Sequence, residues 1–177
     1  MVNEAGELET FPRVNSFPGG ARVSLRMYNG TEETIEVFWM NFRGFPIFYA
    51  RLFSHDHLTV TTYERHPWIF RRKKDGLALT VNKEKIYMPV PAPPLENPDP
   101  STVNYTNIEI SLPVLSLLEL SSRKLMATVP RVVISQLVPK TIVEYLDDLY
   151  LEEARYTMLS ALLINRHTRN VEDHERN

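Results

Sequence analysis

Apolar residues occupy every second position in several short segments of the first two thirds of the chain. Residues 22–27, 35–40 and 108–112 alternate in this way, and residues 59–63 are rich in Thr and Val. A period of two is typical of a strand with one buried face, and Thr and Val favour strands. We therefore predict four strands here, with a turn at Asn29–Gly30 after the first one.

Further strands and loops are predicted between these segments. Lys73-Lys74-Asp75-Gly76 predicts a hairpin that joins strands at residues 68–72 and 77–81, and residues 86–88 can add a short strand. Gly44, Pro46 and residues 50–57 predict a loop. Residues 89–100 contain six prolines, so they predict a spacer of polyproline character. Several short strands between turns indicate an antiparallel β-sandwich, assigned to residues 21–112.

The period becomes helical after Pro113. Ser116 and Glu119 have the spacing of a capping box, and they predict a helix that runs to Val129. A short apolar helical pattern follows Pro130, and a longer one follows Pro139 and continues to Leu162. The fold class is therefore α+β, with a small all-α domain at residues 113–170. Residues 1–20 are predicted to be a disordered leader, and residues 171–177 a tail.

Composition excludes several classes of function. The chain has 177 residues, no cysteine and a formal net charge of −2. Without cysteine it cannot be a RING or thioester ligase, and zinc–cysteine sites and disulfides are excluded. The absence of a basic surplus argues against a nucleic-acid partner. We see no secretory signal, no membrane span, no cofactor motif and no set of metal ligands, so we expect a protein of the cytoplasm and nucleus without a membrane partner.

Aromatic residues are the candidate chemistry of the β part. Trp39 and Trp68 lie on predicted strands, so the simpler interpretation is that they pack in the core. Tyr49, in contrast, lies in a predicted loop. Trp39 and Phe38 face opposite sides of one strand, so one of them must leave the sandwich core. One reading of this pattern is an aromatic platform that binds a carbohydrate or an extracellular-matrix peptide.

A second reading comes from a resemblance to a known family. The runs Trp39–Gly44 and Thr62–Arg71, with Tyr49 between them, resemble the β domain of the von Hippel–Lindau tumour suppressor family. Leu112-Pro113-Val114 and Ser116-Leu117 resemble its passage into the α domain. The family is the substrate receptor of a multi-subunit ubiquitin ligase, and it binds a hydroxylated proline in the α subunit of hypoxia-inducible factor. The resemblance thus implies an adaptor without catalysis of its own.

The resemblance also implies which residues bind substrate. Trp39, Tyr49 and Trp68 are the expected walls of a hydroxyproline pocket, and Thr62 and His66 the expected partners of the 4-hydroxyl group. The backbone at Thr61 is expected to pair with the extended peptide. Plain proline would leave the two hydroxyl partners unpaired, which gives the pocket its expected selectivity.

In the α domain, the resemblance implies a binding site for elongin C. Its motif contains a Ser or Thr followed by Leu, then a Cys, then an aliphatic residue. The matching residues are Ser116, Leu117, Ser121 and Leu125, with Leu118 beside them, and Ser121 stands where the family has Cys. Elongin B, a cullin and a RING subunit are the further expected partners.

Overall fold

The computed structural model describes residues 13–96 and 102–175, with side chains as far as Asn165. In this part of the chain, six strands precede three helices, and the predicted α+β class is confirmed. The strands are β1 (Arg22–Asn29), β2 (Ile35–Met40), β3 (Pro46–Leu52), β4 (His57–Tyr63), β5 (Trp68–Arg72) and β6 (Tyr105–Ile110). The helices are α1 (Leu117–Thr128), α2 (Arg131–Leu137) and α3 (Lys140–Glu175).

The strands form two small sheets that enclose one core. The first sheet has the order β4-β1-β6 and the second has the order β3-β2-β5. The alternating residues of β1 supply much of the core, because Val23, Leu25 and Met27 are all buried between the sheets. Ile35 and Val37 from β2 meet them from the other side. The period of two therefore identified the buried faces of both strands.

One strand pair departs from the predicted antiparallel sandwich. β1 pairs with β6 in parallel, whereas the β1–β4, β2–β3 and β2–β5 pairs are antiparallel. A parallel pair needs a long crossover rather than a tight hairpin. The proline-rich stretch before β6 lies within that crossover.

The predicted loop at residues 50–57 is wrong. Residues 50–52 complete β3, and β4 begins at His57, so only residues 53–56 connect the two strands. Pro46 is tolerated because it is the first residue of an edge strand, where a missing N–H group leaves no ladder bond unmade. The strands predicted at residues 77–81 and 86–88 are reduced to isolated bridges, such as Arg71 with Ala78 and Trp68 with Tyr87.

The outer face of β2 packs against helix α3. Phe38 and Met40 form a second apolar cluster with Ile69 and with Tyr156 from α3. Phe38 is thus the aromatic residue that leaves the sandwich core, and both faces of β2 are covered. Gly76 allows the close approach, because a Cβ atom there would lie 2.3 Å from the Tyr156 ring.

The start of helix α1 follows its capping signal. Ser116 caps α1 by accepting a hydrogen bond of 3.1 Å from the backbone N–H of Glu119, as predicted. The Glu119 carboxylate turns to Arg123 instead of closing the capping box. Helix α3 continues to Glu175, so the expected tail is helical from residue 171 as far as that residue.

Candidate functional site

The structure brings four of the predicted aromatic side chains together at one end of the second sheet. Trp39 and Trp68 are Cα partners where β2 meets β5. Tyr49 lies on the neighbouring strand β3, with its ring centroid 5.0 Å from that of Trp68. The His66 ring, from the turn between β4 and β5, lies 5.5 Å from Trp39. We call Trp39, Tyr49, His66 and Trp68 the aromatic cluster.

Thr62 joins the aromatic cluster from the first sheet. Its side chain is buried on the inward face of β4, and its hydroxyl oxygen accepts a hydrogen bond of 3.1 Å from Nε1 of Trp68. A threonine hydroxyl can accept and donate at the same time. Because the indole takes an acceptor position, the O–H proton of Thr62 can be donated to a ligand oxygen.

His66 supplies the complementary group. Its ring is half-buried, and desolvation lowers its pKa below the ordinary value. The neutral imidazole therefore predominates at pH 7 and offers one nitrogen as an acceptor. Thr62 can donate a hydrogen bond to the oxygen of an alcohol, and His66 can accept one from the hydroxyl proton. Together the two residues can bind both parts of a hydroxyl group.

Phe42 also supports this arrangement, although sequence reasoning did not select it. Its ring lies edge-on to Trp39 at 5.8 Å and to His66 at 5.4 Å. The turn that carries Phe42 is fixed by Asn41, whose side-chain oxygen accepts hydrogen bonds from the backbone N–H groups of Arg43 and Phe45. The Tyr63 ring lies 5.2 Å from His66 as well, so three rings contact the His66 imidazole.

Tyr49 is placed on a strand and not in a loop, which corrects the prediction. Its side chain is 42% exposed, so the phenol is open to a ligand while the ring edge packs against Trp68. The register of β3 with β2 shifts at this point, because Val37 pairs with Ala50 and Phe38 with Phe48, so Tyr49 is the extra residue of a β-bulge. An amphipathic ring at such a position is well suited to bind a peptide backbone.

Thr61 lies next to Thr62 on β4 but points to solvent. Strand β4 is at the edge of its sheet, and in the described part of the chain no other strand pairs with its second side. The backbone groups along that side can therefore bind an extended peptide as an added strand. Because side chains alternate along β4, the Thr62 side chain faces the aromatic cluster, whereas Thr61 offers its backbone at the strand edge.

Ser16 is a residue of the site that the predicted leader had excluded. It is 1% exposed, its hydroxyl donates to the carbonyl oxygen of Met40 at 2.6 Å, and it accepts from Nε1 of Trp39 at 2.8 Å. Its backbone N–H donates to Asn41, and that of Phe17 donates to Arg65. The boundary at residue 20 is therefore wrong, because the segment from Val14 to Phe17 is part of the fold; residues 1–12 of the expected leader lie outside the described residues.

A buried polar group lies on the α3 side of β2. Glu36 is 1% exposed and accepts hydrogen bonds from Tyr156 and Ser160, both on α3, and from Arg51 at 2.7 Å. Burial and the neighbouring carboxylate raise the pKa of the Tyr156 phenol far above its usual value. The phenol therefore stays protonated and remains a hydrogen-bond donor to Glu36.

The residues expected to bind elongin C share one face of α1. Leu117 is 79% exposed and Leu118 is 47% exposed, while Ser121 is exposed and Leu125 is half-buried. Ser122, and not Ser121, is the serine that packs inside the α domain. An apolar surface of this kind on a helix marks a contact surface for another protein.

A separate cleft lies between the β5 hairpin, α1 and α3. It has a volume of about 1160 Å³ and is lined by Leu77, Leu112, Met126 and Met158 among others. Asp75 stands at its edge and joins the hairpin to α1 through Arg72 at 2.5 Å and Arg123 at 3.3 Å. None of the aromatic cluster lines this cleft, so the two features are distinct.

The described residues contain no group of three or more His, Cys, Asp and Glu side chains that could hold a metal ion. The His55 ring forms hydrogen bonds with Tyr28 and Glu32. None of the helices, as far as they are described, combines the length and apolar character needed to cross a membrane.

A comparison with known families matches the β part of the chain. Residues 16–93 match the family model described as VHL beta domain. The matched range begins at Ser16 and includes the whole aromatic cluster and Thr62. Such a domain fits a substrate-receptor role. This match over residues 16–93 supports the von Hippel–Lindau family for the β domain of the chain.

Proposed function

We propose that the chain is the substrate-recognition subunit of an elongin/cullin/RING ubiquitin ligase. Its β domain binds 4-hydroxyproline in the α subunit of hypoxia-inducible factor, so that the hydroxylated protein is ubiquitinated and degraded. The chain performs no catalysis of its own, and it works in the cytoplasm and nucleus. The observation that carries this proposal is the Thr62–Trp68 hydrogen bond beside the half-buried His66.

The pocket selects for the hydroxyl group through hydrogen bonding. A pyrrolidine ring packs against the aromatic cluster, its hydroxyl oxygen accepts the proton of Thr62, and its hydroxyl proton goes to His66. Plain proline fills the same space but leaves both protein groups without a partner. Each unsatisfied buried group costs about 1–3 kcal/mol, so two groups give a discrimination of roughly a hundredfold or more.

The α domain connects the substrate to the ligase. Leu117, with Leu118, Ser121 and Leu125, packs against elongin C, through which elongin B, a cullin and a RING subunit join. Ser121 keeps the small size of the cysteine that the family motif has at this position. Its hydroxyl can bond to a carbonyl one turn earlier in α1, which reduces the cost of placing it in an apolar contact.

Calorimetry with paired peptides tests the proposal. A peptide with one 4-hydroxyproline and the same peptide with proline are titrated into the chain purified with elongins B and C. We expect binding of the hydroxylated peptide alone, because only that peptide satisfies both Thr62 and His66. Equal affinity for the two peptides would overturn the proposal.

Two adjacent threonines provide a matched control. Thr62→Val removes the hydroxyl that contacts the ligand and should lower affinity for the hydroxylated peptide by about 10-fold or more, as expected for about 1.4 kcal/mol. Thr61→Val changes an exposed side chain on the same strand and should leave the affinity near that of the unchanged chain. If both variants lose affinity equally, the inward hydroxyl is not the selective group.

A further inference from the structure

The proline-rich segment before β6 has no role in the proposed pocket or in the elongin surface. Residues 88–95 lie outside the helices and strands and contain four prolines. Proline fixes φ near −65°, and a run of prolines favours the extended polyproline II helix of three residues per turn. Pro89 is buried and anchors the start of the segment next to the buried Tyr87.

Two hydrogen bonds hold the segment against the first sheet. The Thr106 hydroxyl donates to the carbonyl oxygen of Val90 at 2.6 Å, and the Asn104 amide donates to that of Pro93 at 2.6 Å. Val90 and Pro93 are three residues apart, which is one polyproline II turn. The two contacts thus hold carbonyl oxygens at this spacing and leave the side chains of Val90 and Pro93 exposed.

The outer surface of the segment remains open. Val90 is 62% exposed and Leu95 is 44% exposed, and Pro93, Pro94 and Glu96 are exposed as well. Val90-Pro91-Ala92-Pro93-Pro94 contains the Pro-x-x-Pro spacing between Pro91 and Pro94. Aromatic-lined grooves bind such segments because a preformed polyproline helix loses little entropy on binding.

We propose that residues 90–96 dock a second protein through the aromatic-lined groove of a proline-recognition domain. Val90, Pro93, Pro94 and Leu95 fill the groove. Glu96 pairs with a basic residue at one end of it and so fixes the direction in which the partner binds. The site lies on β6's side of the first sheet, apart from the aromatic cluster, and its occupancy is independent of hydroxyproline binding.

A panel of purified SH3 and WW domains is the probe. Each domain is titrated against the full chain purified with elongins B and C. We expect at least one domain to bind, and the double variant Pro93→Ala/Pro94→Ala to weaken that binding by about 10-fold. Pro18→Ala, at another exposed proline, is the matched control and should change nothing. If no domain binds the unchanged chain more tightly than the double variant, the proposal is wrong.

A second variant tests the part played by the two hydrogen bonds. Asn104→Ala/Thr106→Val leaves every proline in place but releases the segment, so we expect affinity to fall about threefold to tenfold through lost preorganisation. Unchanged affinity would overturn the role given to these contacts.

Glu96→Gln should weaken binding more at low salt than at high salt, and a loss independent of salt would contradict the assigned ion pair.

Discussion

Protonation of His66 makes the candidate site sensitive to pH. Desolvation lowers its pKa from the ordinary value of 6.5, so the folded chain disfavours the imidazolium form. Because the unfolded chain binds a proton at His66 more readily than the folded chain does, the free energy of unfolding falls as the pH is lowered. The contribution of His66 is fully present above the pKa of the unfolded state and is lost as the pH falls through the lower pKa of the folded state.

Affinity for the peptide should also fall at low pH. Protonation removes the acceptor that His66 offers to the hydroxyl group, so affinity should be constant near neutral pH and fall once the pH is below the ordinary imidazole pKa of 6.5. The measurement is calorimetry of the hydroxylated peptide across this range. His66→Ala should bind weakly without the additional loss at low pH, and His57→Ala, at an exposed histidine, should keep it. A loss at low pH of equal size in His66→Ala would exclude His66 as its source.

Ser16 is expected to position Trp39. Ser16→Ala leaves the Trp39 indole N–H and the Met40 carbonyl without this partner, so we expect unfolding free energy to fall by about 1–3 kcal/mol and peptide affinity to fall with it. Denaturant unfolding and peptide calorimetry measure the two effects. Ser24→Ala, on the outward face of β1, is the control. A Ser16→Ala variant as stable as the Ser24→Ala variant would show that the two hydrogen bonds contribute nothing.

At the residue scale, the sequence predicts the site through the resemblance and only partly through physical pattern. The period of two places Thr62 inward and Thr61 outward without any further information. The position of Ser16 could not be predicted, because its contacts with Trp39 and Met40 join segments 23 and 24 residues apart and no local period marks them. A serine among Pro and Gly residues has the composition of a loop in either case.

At the scale of elements, the alternating pattern of β2 does not predict the contact between β2 and α3. Glu36 stands between the buried Ile35 and Val37, so the pattern predicts a polar residue on a solvated face. That face is instead covered by Tyr156, which lies 120 residues further along the chain. The helix pattern of α3 predicts an apolar stripe but does not specify the sheet against which it packs.

The Glu36–Tyr156 contact should stabilise the junction of the two domains. Tyr156→Phe keeps the ring against Gly76 but removes one donor to a buried carboxylate, so we expect a loss of about 1.5–3 kcal/mol in unfolding free energy. Tyr150→Phe, at a half-buried tyrosine of the same helix, is the control. Denaturant unfolding measures both variants, and equal midpoints would contradict the stabilising role.

At the scale of the whole molecule, the α domain is incomplete by itself. Besides Leu117, several large apolar side chains of the helices are open to solvent in the chain alone: Leu120 57%, Val132 73%, Leu137 70% and Met158 68%. Three short helical patterns in the sequence already indicate more apolar surface than they can bury among themselves. The pattern cannot show which of these residues form one continuous surface, because that depends on how the helices pack.

Leu117 should anchor the partner of this surface. Leu117→Asp places a charge in the proposed contact, where loss of a buried leucine alone costs about 2–5 kcal/mol, so co-purification with co-expressed elongin C should be lost. The β domain should still bind hydroxylated peptide. Phe53→Asp, an equally drastic change at a 65% exposed residue of the turn between β3 and β4, should retain elongin C. If Leu117→Asp retains elongin C as well, this face of α1 is not the contact surface.

The parallel pairing of β1 with β6 has a consequence for protein synthesis. The central strand of the first sheet is synthesised before its parallel partner, because β6 begins at Tyr105, 76 residues after Asn29 ends β1 (105 − 29). At the usual elongation rate of about 5–20 residues per second, that interval lasts roughly 4–15 s. During this time β1 has an open edge, and its hydrogen-bonding groups are accessible to other nascent chains. The topology thus leaves the first sheet incomplete until most of the β part has been synthesised.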